Sequence, residues 1–144
     1  LYLVLLDSAG DSVETSAMAD RTSLVLAAVL EVTAGLVLII SPSVFVHLLL
    51  AADVVGTGFT LGRVAGVALL SLGVACWPGA DSGRRRVQSV YAMLTYNSLV
   101  AAFLAYLGAA RGFSGILLRP AVVIHGVLAL LFASAAWKQF STSS

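Results

Sequence analysis

Glu31, Asn97 and His125 each stand near the middle of a long apolar stretch, and Arg63 lies near the start of a fourth. Such groups cost free energy in an apolar medium unless they face one another or a cavity. Their types bound the chemistry. A metal centre wants three or four ligands in suitable geometry. Glu31 and His125 offer two, and His47 belongs to another segment, so no metal site is expected. Haem held between helices wants axial histidines at compatible depth, which His47 and His125 do not give. A serine hydrolase of the GxSxG kind lacks its elbow here, and no catalytic residue is assigned. Cys76 is the one cysteine, which excludes an internal disulfide and a CxxC redox pair. A quinone-type pocket needs a hydrogen-bonding group or two beside aromatic rings. His125, Asn97 and Tyr96, with Tyr91 nearby, are the residues that would build it. A proton path needs a longer relay than Glu31 and His125. Interhelical hydrogen bonding alone also accounts for these residues, at about 0.6–2 kcal/mol for each bond.

The elements that must hold them follow from composition. Of 144 residues, 60% are hydrophobic and 10% charged, and mean hydropathy is +1.02. Soluble domains carry about 25% charged residues. A chain this apolar is expected to be an integral membrane protein. Lipid leaves only helices and closed barrels as spans, and barrel strands alternate with period two. Residues 24–30 and 128–133 do not alternate. The expected fold is therefore all-α: a four-transmembrane-helix bundle with spans near 22–40, 59–77, 87–110 and 115–137. Residues 44–52 are too few to span and are expected to form a short interfacial helix between the first two. Residues 1–20 form an acidic extension, peripheral to a single transmembrane domain over 21–140, with Met18 placed like a natural translation start. Residues 141–144 form a polar tail. A net charge of +1 gives no case for a nucleic-acid partner.

Gly58, Gly62 and Gly66 recur every four residues, with Gly73 two turns on. This extended GxxxG stripe lets a neighbouring backbone come close. Similar small-residue rows are Ala101, Ala105 and Ala109 in the third span and Ala121, Ala129 and Ala133 in the fourth, where His125 fills the missing step. Ala27, Glu31 and Gly35 make the row of the first span. At 1.5 Å per residue, Glu31, Asn97 and His125 all lie about 14–15 Å from the ends of their spans. Arg63 is offset from Glu31 by about 8 Å along the axis, within reach of an arginine side chain. A buried Glu31–Arg63 pair is expected, since pairing neutralises two charges that are costly alone. The run Arg84, Arg85, Arg86 places its loop, and with it both termini, in the cytoplasm. The same run suits contact with lipid headgroups.

Several local sequences carry a likeness: Glu31-Val-Thr-Ala-Gly35, Pro42 with the apolar residues 44–50, Arg63-Val-Ala-Gly66-Val-Ala-Leu-Leu-Ser-Leu-Gly73, and Tyr96-Asn97. Over about residues 22–138 the layout resembles the small four-helix bacterial membrane proteins of the DoxX-like kind. The likeness is one of architecture rather than motif. It implies the bacterial inner membrane as location. Some DoxX-like proteins are linked to quinone-coupled oxidoreductase complexes, so the likeness agrees with quinone as the one cofactor class to consider; otherwise no cofactor is expected, and His125, Asn97 and Tyr96 are candidates by their chemistry alone. It transfers no catalytic residue, and this chain lacks a cysteine pair for thiol chemistry. The short loops leave almost no aqueous domain. The expected function is that of a non-catalytic accessory or structural subunit, associating with a larger membrane complex or with itself. The alternatives are a quinone- or lipid-binding redox partner and a small oligomeric transporter or channel.

Overall fold

The computed structural model describes the backbone of residues 2–79 and 83–141 and the side chains of 18–79, 86–139 and 141. Its elements in chain order are α1 (Tyr2–Ile40), α2 (Pro42–Leu50), α3 (Gly58–Ala75), α4 (Gly83–Arg111) and α5 (Leu118–Ser141). The protein is all-helical over the described residues. Four stretches, Met18–Ile40, Gly58–Ala75, Arg86–Arg111 and Leu118–Gln139, are long and apolar enough to cross a membrane. The expected acidic extension continues the helix of the first span backwards to Tyr2. Its side chains up to residue 17 lie outside the described residues, as do residues 142–144 of the expected tail and the side chains of Arg84 and Arg85.

Local chemistry sets the boundaries. Ser41 leaves helical geometry, with φ −142°, and Pro42 restarts the helix in its first turn. A proline fits there because that position has no helical acceptor for an N–H. This is why α2 begins ahead of the expected residue 44. It closes at Ala51, a left-handed alanine with φ 52°, whose N–H donates to the carbonyl of His47 over 2.8 Å. The fourth span begins at Leu118 rather than 115, because 112–117 forms the turn that Gly112 opens with φ 70°.

The helices pack as two antiparallel pairs, α1 with α3 and α4 with α5, and α1 also touches α4 and α5. The glycine stripe makes the first pair. A methyl group added at Gly66 would stand 2.7 Å from the carbonyl oxygen of Gly35, and one at Gly73 would stand 2.8 Å from that of Ala28. Gly62 meets Pro42 and Leu38. Gly58 faces only Val54 in its own loop, so the interhelical stripe is Gly62, Gly66 and Gly73, with Gly35 opposite. Backbones come this close where no side chain intervenes.

The second pair uses a different row from the one expected. Ala105 and Ala109 are exposed, whereas Val90, Met93, Asn97 and Leu104 are buried. Their spacing of three, four and seven is the inward face of a helix. At the end of the molecule holding the α3–α4 connection, Leu24, Ala27, Cys76, Val90, Met93, Leu128, Phe132 and Ala135 form one buried cluster. At the other end α2 packs against α1, α3 and α5. There the N–H of Leu117 donates to the carbonyl of Leu48 over 2.9 Å. Gly115 lies against the backbone of Leu49 with no room for a side chain.

Candidate functional site

Between the packed end and the α2 end sits a cluster of four polar side chains. Glu31 of α1 is 2% exposed and Asn97 of α4 is fully buried. The hydroxyl of Tyr96 donates to Glu31 Oε2 over 2.8 Å. Asn97 Nδ2 donates to the carbonyl of Met93, one turn back, over 2.8 Å. His125 Nδ1 of α5 meets Asn97 Oδ1 at 2.7 Å. The rings of Tyr96 and His125 stand edge to face, with centroids 5.8 Å apart and planes at 76°, an arrangement favoured by the ring quadrupole. Two neighbours on α4 therefore reach to different helices: Tyr96 to α1 and Asn97 to α5. A step of about 100° per residue makes that division possible.

The ion pair expected between Glu31 and Arg63 is not formed. Arg63 is exposed, and the partner of Glu31 is Tyr96. The helix register gives the reason. Gly66 stands against Gly35 and Gly62 against Leu38, so Arg63 is level with Leu38, about 10 Å along the axis from Glu31. The glycine face of α3 meets α1, and Arg63 falls beside that face rather than on it.

A cavity of about 330 Å³ opens beside the cluster. Glu31, Tyr96 and His125 line it, with Phe45 and Leu49 of α2 and Leu69 of α3 among the apolar walls. Asn97 is buried behind His125 and is not part of the lining. Tyr91 is exposed and takes no part. The volume is at the lower end of small-ligand sites, and an apolar chamber with a few converging polar groups is their usual form. Sequence reasoning placed Glu31, Asn97 and His125 at one depth and named Tyr96 with Asn97 and His125 as pocket residues. It missed the bond from Tyr96 to Glu31 and the part played by α2, whose Phe45 and Leu49 close over the chamber. The apolar character of residues 44–50 was the available signal.

Among the described residues no third histidine, cysteine or acid joins Glu31 and His125. Arg86, the one residue of the arginine run whose side chain is described, is exposed at the start of its span. A second, larger cavity of about 730 Å³ lies between α4 and α5 near their turn, where Ala105, Ala109 and Arg119 line it. Compared with family models, with curated proteins and with solved structures, the chain matches none.

Proposed function

We propose that this chain is an integral membrane protein that acts by binding and association rather than by catalysis. Its bundle holds an apolar ligand with a polar headgroup, of the quinone class, and it serves as an accessory subunit to a larger membrane complex. One observation carries the reading: the 330 Å³ cavity whose walls are apolar except where Glu31, Tyr96 and His125 converge. Here three of the four residues border open volume. The likeness of layout to DoxX-like proteins, the inner-membrane location and the cytoplasmic termini belong to the same proposal.

The test is ligand binding by the purified full chain in lipid nanodiscs. A short-chain quinone or hydroquinone should raise the thermal midpoint in proportion to its occupancy. Saturation at a hundredfold excess over Kd adds about 2.7 kcal/mol to the folded state. Ala121→Trp, which fills the chamber from a half-buried position on α5, should abolish the shift. No shift with any ligand of this class, or an equal shift in Ala121→Trp, would remove the cavity from the proposal. Gentle solubilisation should recover the chain with larger membrane subunits, and a chain that runs alone as a stable monomer counts against the accessory role.

A further inference from the structure

The hydrogen-bond directions within the cluster determine what kind of headgroup the cavity receives, an inference that rests on the binding role just proposed. The amide of Asn97 has one orientation, because its Nδ2 donates to the Met93 carbonyl. Its Oδ1 is therefore the atom facing His125 Nδ1. An amide oxygen has no proton to give, so the imidazole must donate and Nδ1 carries the hydrogen. In the neutral ring Nε2 then holds a bare lone pair. Among the described residues that atom has no hydrogen-bond partner, and His125 lines the cavity.

The opposite wall has the same polarity. The hydroxyl proton of Tyr96 is spent on Glu31 Oε2. Among the described residues Glu31 Oε1 has no hydrogen-bond partner, although the residue is 2% exposed and borders the cavity. With Glu31 ionised, Oε1 is an acceptor only. With Glu31 ionised and His125 neutral, the protons of Tyr96 and of His125 Nδ1 are both spent inside the cluster, and the atoms left facing the chamber, Nε2 and Oε1, are acceptors.

We infer that the cavity takes an apolar ligand whose headgroup donates hydrogen bonds, a hydroquinone or a long-chain alcohol, in preference to a quinone. A carbonyl headgroup would set its lone pairs against those of Nε2 and Oε1. A hydroxyl headgroup gives each of them a proton. Sites built around buried polar groups reject ligands that leave those groups unpaired far more strongly than apolar pockets reject a change of size.

The experiment measures binding to the full chain in nanodiscs under anaerobic conditions, with four probes: a decyl hydroquinone, the matching quinone, the di-O-methyl ether of the hydroquinone, and a prenyl alcohol. The hydroquinone should bind at least tenfold more tightly than the quinone, and the ether should bind no better than the quinone. Binding of the prenyl alcohol as tightly as the hydroquinone identifies alcohols as a ligand source; its failure beside a bound hydroquinone identifies a two-hydroxyl headgroup. His125→Phe should bring the hydroquinone-to-quinone ratio towards one. A quinone or ether that binds as well as the hydroquinone overturns the donor preference while leaving the cavity as a binding site. Failure of all four probes removes the binding role itself.

Discussion

At the scale of single residues, the molecule turns on which side chain faces the Glu31 carboxyl. The Tyr96–Glu31 bond links α1 to α4 across 65 residues of sequence. Interhelical bonds of this kind contribute about 0.6–2 kcal/mol. Tyr96→Phe should therefore lower stability more in the native background than in Glu31→Met, and a double-mutant cycle on reversible unfolding should return a coupling of that size. Strict additivity of the two changes would mean that the hydroxyl and the carboxylate do not meet. Arg63→Gln makes the control. Exposed and about two turns from Glu31 along the axis, it should show no coupling to Glu31→Met within about 0.5 kcal/mol. Asn97→Leu removes the acceptor of the His125 proton and the donor to the Met93 carbonyl together. Buried groups left unsatisfied cost about 1–3 kcal/mol, so this variant should be among the least stable single substitutions in α4.

At the scale of elements, the glycine contacts give the sharper forecast. Gly66→Ala places a methyl group 2.7 Å from the Gly35 carbonyl oxygen, and α1 and α3 must part to admit it. Overpacking typically costs about 1–3 kcal/mol. Gly58→Ala meets only a side chain of its own loop and should be milder in thermal unfolding; equal losses at the two positions would contradict the register. Ala51→Gly should gain about 0.5–1 kcal/mol, since the left-handed C-cap of α2 suits glycine. Much of this level was legible in the sequence. The glycine repeat pointed to a close backbone contact, Pro42 to a helix break, and the span count to hydropathy. Depth followed from the rise per residue, which is why Glu31, Asn97 and His125 were placed together. Azimuth was the weaker quantity. A fixed repeat of four residues drifts around a helix of 3.6 residues per turn, so the alanine row of α4 was traced to its exposed flank, while the inward row 90, 93, 97 and 104 mixes valine, methionine, asparagine and leucine. Arg63 was assigned by axial distance alone, and the side of α3 that it occupies decided otherwise.

At the scale of the whole molecule, the connections sort into two ends. The α2 segment and the 112–117 turn share one end, tied by the Leu48–Leu117 bond, and the α3–α4 connection lies at the other. Membrane orientation then reduces to a single binary choice. With Cys76 replaced, Asp53→Cys and Ser114→Cys should react with an impermeant thiol reagent from one side only, and from the same side. Ser141→Cys should react from the opposite side. The positive-inside assignment puts Ser141 in the cytoplasm, and labelling of Ser114→Cys from the cytoplasm would invert it. Reaction of Asp53→Cys and Ser114→Cys from different sides would contradict the fold itself.

The long reach of the Tyr96–Glu31 bond also bears on how the chain is made. At about 5–20 residues per second of synthesis, the 65 residues between the partners correspond to about 3–13 s. For that interval the nascent first hairpin holds a carboxyl group in its apolar face with no phenol to receive. Until α4 emerges, water must solvate it. Biogenesis, rather than the finished structure, is therefore the stage at which Glu31 is most exposed to quality control. Slowing synthesis between α3 and α4 should lower the yield of the native chain more than it lowers that of a Glu31→Met variant.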